Sequence, residues 1–288
     1  MIRFRIPAGL LLSVAATAGA ALYLQRRAPD HDTLMGRRLL ELAPTPGRAR
    51  VDCQTFREPR PLVLLAIGQS NAGNHGQAGA DEPPPTALHV MSAGVCSLTG
   101  DPLPGATGRG ASLWSLLPAR LAAAGIQRPV VLQVLAVDAS LVDDWTRESA
   151  PITRYLSLVL RANRATGLQP DLVLWQQGEA DAQAGTAPDR YAQGLLALAA
   201  RLEAGGVHAP ILLARSTVCR SAAAARLRAA VLALAASHPR FVVGPDTDSI
   251  EQRHDGCHLS ASGRAQAATL WATTIAQLPP GVLRRLPE

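Results

Sequence analysis

The sequence predicts an α/β domain built around a central parallel sheet. Five short apolar runs rich in Val, Ile and Leu alternate along the chain with five amphipathic segments. Continuous apolar runs of this length are typical of strands covered on both faces, and their alternation with helices indicates βαβ units. Each run also ends in glycine and polar residues, at the strand ends where such folds bind their ligands.

The predicted strands lie in five segments, in chain order PLVLLAIG, RPVVLQVLAV, PDLVLWQQG, APILLARST and RFVVG. The predicted helices are 113–124, 152–166, 189–204, 222–237 and 261–277. Residues 28–60 are rich in Arg and Pro, with a short helix expected around 34–42, and are interpreted as a linker. The folded domain is therefore expected to span 61–288.

Composition narrows the class of partner. With 288 residues, 48% of them hydrophobic, the chain can bury one substantial core. Only 3% of the residues are aromatic, the net charge of +6 comes from arginine alone, and no nucleic-acid-binding motif is visible. A nucleic-acid partner is therefore not expected, and the oligomeric state is left open.

The N-terminal residues 1–27 are interpreted as a signal peptide or a membrane anchor. An apolar run at 6–24 is flanked by arginines on both sides, and small residues offer cleavage sites after Ala18 or Ala20. Uncleaved, the run is about long enough to span a bilayer. The protein is thus expected to be exported, either periplasmic or secreted, or tethered to the membrane.

The four cysteines, Cys53, Cys96, Cys219 and Cys257, fit an oxidising compartment. An even count is compatible with two disulfides, for which three pairings exist, and buried free thiols are the alternative. Their spacing is not that of a zinc site.

Two polar segments at opposite ends of the domain suggest nucleophilic catalysis. Ser70 lies in GQSNAGNHG after the first predicted strand, and DGCHLSASG supplies Asp255 and His258 three residues apart. A serine hydroxyl needs a base to take its proton, and an imidazole does so best when a carboxylate fixes its tautomer. The alternative interpretation is that Ser70 is only a turn residue, without a catalytic role.

An acyl-transfer site also needs hydrogen-bond donors for the developing oxyanion. The candidates are the Ser70 amide, an amide of Gly108 or Gly110 in TGRGASLW, and the side chain of Gln177 in WQQGEAD. A helix-capping loop and a polar strand end are the structural alternatives for the glycines and for Gln177. His75 and His254 are interpreted as polar loop residues, and neither a metal nor a cofactor is expected.

GQSN, WQQGEAD and DGCHLS, in this order, resemble the SGNH hydrolase superfamily. More narrowly, they resemble the branch that holds sialate O-acetylesterases and family 6 carbohydrate esterases, including acetylxylan esterases; AVDASLVDDW is similar to that branch's segment ending in Asp-Glu-Trp. The resemblance spans about 62–272. It implies a flavodoxin-like three-layer α/β/α sandwich.

The resemblance implies Ser70 as the nucleophile, His258 as the general base and acid, and Asp255 as the residue that orients it. It implies an oxyanion hole from the Ser70 amide, a glycine amide, taken as Gly110 with Gly108 as the alternative, and Gln177. Many superfamily members use Asn at the last position.

Four further residues receive supporting roles from the resemblance, either on the substrate side or in the structure: Asn71, Trp145, Glu179 and Asp181. The branch usually has two glycines where this sequence has Asp138 and Ala139, which is expected to reshape the acyl or sugar pocket. The implied fold also places the loop after ILLARST near the C-terminal catalytic loop. This favours a Cys219–Cys257 disulfide and leaves Cys53 to pair with Cys96.

The function expected from these features is that of a serine esterase. It would remove O-acetyl groups from a carbohydrate or polysaccharide through an acetyl-serine intermediate, without a cofactor. The alternatives are an O-acetyltransferase that uses the same triad and a non-catalytic envelope protein that binds polysaccharide. The sequence does not indicate which acetylated substrate is used.

Overall fold

The structure is a computed structural model that describes residues 29–44, 49–79, 88–279 and 282. The segment interpreted as a signal peptide or anchor, 1–27, lies outside the described residues. Within the described ranges, none of the helices has the length and apolar character needed to cross a bilayer. The sheet and its helices belong to one compact unit, Met35–Glu288.

The core of this unit is an eight-stranded sheet. Its strands are β1 (Ala49–Val51), β2 (Leu62–Gly68), β3 (Leu88–Ser92), β4 (Val95–Thr99), β5 (Val130–Ala136), β6 (Leu172–Gln176), β7 (Ile211–Arg215) and β8 (Phe241–Asp246). They are ordered β1-β4-β3-β5-β2-β6-β7-β8 across the sheet. All five sequence-predicted strands are confirmed and are mutually parallel where they pair.

The sheet is mixed rather than wholly parallel, which the sequence did not indicate. β3 pairs with β5 in parallel, but β4 and β1 add an antiparallel edge. A two-residue turn joins β3 to β4, with positive φ at Ala93 and Gly94, as tight hairpins require. These short strands lack the long Val/Ile/Leu runs by which the parallel strands were recognised.

The interpretation of 28–60 as a linker is wrong from Met35 onward, where the compact unit begins. β1 pairs with β4 at the edge of the sheet, and a disulfide joins Cys53 to Cys96. Phe56 is also buried, in a cluster with Val63 of β2. Residues 49–60 therefore belong to the folded unit.

Seven helices are described: α1 (His31–Leu40), α2 (Leu117–Ala123), α3 (Pro151–Ala165), α4 (Glu179–Ala184), α5 (Pro188–Ala204), α6 (Ala225–Ser237) and α7 (Ala261–Ala276). Proline at the first position begins α3 and α5, and the Ser260 side chain caps α7 by accepting from the Gly263 amide. The predicted helices are confirmed with bounds shifted by up to four residues, while the short α4 was not predicted.

The helices cover both faces of the sheet, giving three α/β/α layers. Along β2 the side chains alternate: Leu64 packs in a core with Trp114 and with Trp271 of α7, whereas Val63 packs in a separate cluster that contains Leu168. β2 is therefore buried on both faces, as its uninterrupted apolar sequence predicts.

The strand order places a switch point at β2. The chain adds β3 and β5 on one side of β2 and then crosses to add β6, β7 and β8 on the other. Loops that leave the carboxyl ends of such strands diverge and open a crevice, which is where open α/β sheets bind ligands. The loop after β2 begins with GQSN.

Gly68, the last residue of β2, allows a close approach of this loop to β6. It has φ of +152°, and a Cβ built on it would lie 2.0 Å from the Gln176 carbonyl oxygen. The next residue, Gln69, donates its amide to that same carbonyl at 3.2 Å. Only glycine fits between the two strand ends without displacing this hydrogen bond.

We predict that Gly68→Ala destabilises the fold by more than about 3 kcal/mol, because the new methyl group overlaps backbone atoms that cannot move independently. The matched control is Gly36→Ala in α1, where nothing lies within 4 Å of the added Cβ. That change should stabilise by about 0.5–1 kcal/mol, since alanine is the better helix former. Urea unfolding checks both, and equal effects of the two changes would contradict the steric argument.

Candidate active site

Ser70 lies at the start of a short 3-10 helix, Ser70–Ala72, that follows β2. The residue is 2% exposed. Within the described part of the chain, neither its hydroxyl nor its backbone amide makes a hydrogen bond. The hydroxyl and the amide of Ser70 therefore both have unused hydrogen-bonding capacity.

His258 and Asp255 form a hydrogen-bonded pair on the loop between β8 and α7. Asp255 Oδ2 lies 2.8 Å from His258 Nδ1, while Oδ1 accepts from the amides of His258 and Cys257 at 2.7 and 2.9 Å. Burial alone would raise the pKa of Asp255, but these hydrogen bonds outweigh it and hold the pKa well below its usual range. Asp255 is thus an anion that fixes the ring of His258 and leaves Nε2 available.

Two hydrogen bonds hold the Ser70 turn against the His258 loop. Asn71 Nδ2 donates to the Cys257 carbonyl oxygen at 3.2 Å, and the Gln77 amide donates to the Leu259 carbonyl oxygen at 3.1 Å. The residues on either side of His258 are therefore tied to the segment that follows Ser70. Ser70 Oγ and His258 are not hydrogen-bonded to each other in the described part of the chain.

A disulfide anchors the same loop from the opposite side. Cys219 is joined to Cys257, and the adjacent Arg220 donates its amide to the Gly256 carbonyl oxygen at 2.7 Å. The Arg220 guanidinium also lies 3.2 Å from Asp255 Oδ2. Both disulfide pairings favoured from the sequence are present in the structure.

Gly110 does not have a free amide for an oxyanion. Its N–H donates to the Asn74 carbonyl oxygen at 2.8 Å, so this expectation is corrected. The Gly108 amide makes no hydrogen bond to a described residue, and Gly108 has φ of +93°, with the Asn74 carbonyl oxygen 2.4 Å from an added Cβ. A Cβ on Gly110 would also clash, 2.4 Å from the Gly76 carbonyl oxygen, but of the two glycines only Gly108 has an unoccupied amide and a positive φ.

The side chain of Gln177 is also occupied. Its Nε2 donates to the Ser140 carbonyl oxygen at 2.9 Å and to Asp181 Oδ2 at 2.5 Å, and its Oε1 accepts from the Tyr191 hydroxyl at 3.0 Å. Both amide protons are used, so Gln177 has no donor left for an oxyanion. The expectation of an oxyanion donor at this position is corrected to a structural role.

Asp181 and Trp145 support the site from the interior. Asp181 is 1% exposed and accepts hydrogen bonds from Gln177, from the Val142 amide and from Thr186 Oγ1. Trp145 is fully buried, edge-on to Trp175 at 5.7 Å. Of the two expectations, substrate contact or structural support, the structure favours support for both residues.

Glu179 lies beneath the junction of the two loops. It is 1% exposed, and its Oε1 accepts from Asn71 Nδ2 and from Ser216 Oγ, each at 2.8 Å. Its Oε2 is buried and has no hydrogen-bond partner in the described part of the chain. Burial raises the pKa of Glu179 to about 7, against the lowering effect of the Asn71 and Ser216 hydrogen bonds.

Sequence reasoning missed Gln69, Ser216 and Arg253. Gln69 Oε1 accepts from the Ala180 amide at 3.0 Å, tying the Ser70 turn to α4. Arg253 donates to the carbonyl oxygens of Cys257, Thr247 and Ile250, bracing the His258 loop. Ser216 lies at the end of the predicted strand segment APILLARST, so the rule that strand ends carry chemistry could have identified it; no comparable signal marks Arg253.

One group of side chains beside the site has a donor set suited to a metal ion. A ring nitrogen of His75, a ring nitrogen of His258 and a carboxylate oxygen of Asp138 lie within 4.8 Å of one another. The two imidazoles are stacked, with ring centroids 5.1 Å apart. The three residues come from three separate loops, so no sequence spacing reveals the group.

Comparison with known proteins places this chain in a family. The family model described as carbohydrate esterase, sialic acid-specific acetylesterase, matches residues 61–277. A solved structure from Arabidopsis thaliana aligns with a TM-score of 0.60 at 18% identity, covering 76% of this chain and 100% of its own. A carbohydrate acetylesterase from Sinorhizobium meliloti aligns with a TM-score of 0.50 at 17% identity, covering 75% and 99%. No curated protein matches the chain significantly.

We predict that Glu179→Gln removes a pH-dependent loss of stability. The folded pKa of about 7 exceeds the unfolded value, so the native state binds the extra proton and stability falls as pH rises from about 4.5 to 7. Glutamine carries no charge. Between about pH 4.5 and 7, the free energy of unfolding of the variant should therefore rise relative to that of the parent by up to about 3 kcal/mol.

Urea unfolding at pH 5 and pH 8 measures the difference. The matched control is Glu251→Gln, an exposed glutamate in the segment between β8 and α7, whose charge is solvated in both states. If the free energies of unfolding of the parent and of Glu179→Gln changed in parallel with pH, the buried carboxyl would not be the group that takes up the proton.

Proposed function

Because this chain belongs to the carbohydrate esterase family of sialic acid-specific acetylesterases, within the SGNH hydrolases, we propose that it is a serine esterase that removes O-acetyl groups from a carbohydrate. The family match makes it a carboxylic ester hydrolase. The observation that carries the finer proposal is the His258–Asp255 pair, at 2.8 Å, on a loop bonded to the residue that follows Ser70.

In the proposed reaction, Ser70 Oγ attacks the acetyl carbon while His258 Nε2 takes the hydroxyl proton. His258 then gives that proton to the departing sugar oxygen, leaving an acetyl-serine ester. Water attacks this ester with His258 as the base again, releasing acetate and restoring Ser70. Asp255, anionic throughout, keeps the Nδ1 proton in place and stabilises the imidazolium formed in each half-reaction.

We assign the oxyanion hole to the amides of Ser70 and Gly108. Both amides lack a hydrogen-bond acceptor among the described residues. The Gly108 segment packs on the residues after Ser70, because the Asn74 amide donates to the Thr107 carbonyl oxygen at 2.8 Å. Preorganised donors of this kind stabilise the tetrahedral intermediate at the point where its negative charge develops.

We propose that the protein acts outside the cytoplasm. Both disulfides close between residues well separated in the sequence, and disulfides of this kind persist in oxidising compartments. The apolar run at 6–24, with arginines before it, supports export. A membrane tether through this run is the alternative to cleavage.

We predict that Ser70→Ala and His258→Ala each lower kcat for release of acetate from an aryl acetate by at least about a thousandfold, since the nucleophile and its base act as a unit. Matched controls are Ser262→Ala on the exposed side of α7 and His208→Ala, whose side chain is 72% exposed. Undiminished hydrolysis by Ser70→Ala would refute the assignment. Transfer of acetyl to an added acceptor sugar, without free acetate, would indicate the acetyltransferase instead.

We predict different consequences for the two disulfides. Replacing Cys219 and Cys257 by alanine frees the loop that holds His258, and kcat/KM should fall by about 10- to 100-fold. Replacing Cys53 and Cys96 should lower the free energy of unfolding by about 2–4 kcal/mol but leave kcat unchanged, because that bridge closes the far edge of the sheet. Urea unfolding measures the stabilities, and rates below the unfolding transition measure the activities; an equal loss of kcat/KM in the two double variants would contradict the anchoring role.

A further inference from the structure

Three loops at the carboxyl ends of the strands bring two imidazoles and a carboxylate together. His75 follows the Ser70 helix, Asp138 follows β5, and His258 lies on the loop before α7. One donor atom from each lies within 4.8 Å of the other two. Two imidazole nitrogens and one carboxylate oxygen are the donor set of many zinc sites, and Ni²⁺ and Co²⁺ accept the same ligands.

The surroundings orient these ligands as metal sites require. Metal-binding histidines commonly hydrogen-bond through their other nitrogen to a carboxylate or a neutral oxygen. His258 Nδ1 is bonded to Asp255, which leaves Nε2 free to coordinate. His75 Nε2 lies 3.2 Å from Thr107 Oγ1, which also accepts from the Asp138 amide at 2.9 Å, so one threonine fixes two of the three ligands.

A second group nearby, His254 with Asp255 and His258, satisfies the same distance criterion but is chemically unsuited. The oxygens of Asp255 already accept from two backbone amides and from the His258 ring, and Arg220 lies against one of them. A metal at this position would have to displace these hydrogen bonds. Among the described residues, no comparable set of donors lies on the Asp138 carboxylate.

Asp138 does have one cationic neighbour. Arg38 of α1 lies 3.1 Å from Asp138 Oδ2 and also binds Glu41. The guanidinium competes with a metal for the carboxylate and repels a second cation, so Arg38 should weaken the site without closing it. It also provides a variant whose expected effect is a gain of affinity.

From this geometry we propose that His75, Asp138 and His258 bind a divalent transition metal ion, with Zn²⁺ as the best fit, and that the bound ion switches off the esterase. Coordination uses the lone pair on His258 Nε2 that must accept the Ser70 proton. The inhibitory part rests on the proposed function, whereas the metal site does not. The ion is thus an inhibitor of the site and takes no part in the reaction.

The site is tested by calorimetric titration of the full chain, without a polyhistidine tag, with Zn²⁺ alone. All four cysteines are in disulfides, so thiol binding does not contribute. Asp138→Asn and His75→Gln should each weaken Zn²⁺ binding by at least about tenfold. Arg38→Gln should tighten it, a result that misfolding cannot produce, and His208→Gln on the surface should leave it unchanged.

Several results would overturn the site. These are no binding of Zn²⁺ to the parent, unchanged affinity in both Asp138→Asn and His75→Gln, or a loss of affinity confined to His254→Gln. Titration with Co²⁺ gives an independent readout, because a four-coordinate ion with nitrogen ligands has visible absorption that should disappear in the same variants.

Inhibition is measured separately, as acetate release at increasing Zn²⁺ relative to each variant's own metal-free rate. The inhibition constants should follow the calorimetric order, lowest for Arg38→Gln and highest for Asp138→Asn and His75→Gln. Binding without inhibition would overturn the proposed switch while leaving the site intact. A parent that binds Zn²⁺ but releases no acetate without metal would instead refute the proposed function.

Discussion

The active-site arrangement depends on the side-chain amide of one residue, Asn71. Its two N–H groups reach the Glu179 carboxyl and the Cys257 carbonyl oxygen, so they join the turn after β2, the start of α4 and the loop before α7. Ser70 directly precedes Asn71 along the chain, and His258 directly follows Cys257. Since the proposed nucleophile and base must be placed within a fraction of an ångström, a buried amide whose two N–H groups are both used is a more exact support than an exposed contact.

The same junction explains why the buried acid is tolerated. An ionised carboxylate without a cationic partner in contact is costly in the interior, and Glu179 responds with a pKa of about 7, near neutrality. The positive charge of Arg253 favours the ionised form of Glu179 without direct contact, because the hydrogen bonds of Arg253 go to backbone carbonyl oxygens. Near neutral pH the junction can therefore hold a proton on Glu179, while Asp255, with two amides and the His258 ring on its oxygens, stays charged. The pKa values of these two carboxyl groups are thus shifted in opposite directions, upward for Glu179 and downward for Asp255.

The sequence predicted the parallel strands, the helices and the His258–Asp255 pair because each depends on local pattern: apolar runs, helical periodicity and a three-residue spacing. It failed where a contact partner comes from elsewhere in the chain. Gly110 and Gln177 have suitable amides, but Asn74 in one case and Ser140 with Asp181 in the other already accept their protons. The antiparallel edge strands were missed for a related reason, since their stability comes from pairing and from the Cys53–Cys96 bridge rather than from long apolar sequence.

Parallel-sheet folds place many polar loops at one edge of the sheet. These loops can assemble a catalytic site, but they can also assemble ligands for a metal ion. Any loop that brings a second imidazole or carboxylate close to a catalytic histidine creates ligands for a metal, because the lone pair needed for proton transfer is also a lone pair for coordination. Here Asp138 supplies the carboxylate, and Ala139 beside it has φ of +58°, a conformation that glycine adopts at lower cost. Arg38 counteracts the added carboxylate through an ion pair. Asp138 and Arg38 thus meet at this loop, and Asp138 brings its carboxylate close to a ring nitrogen of His258.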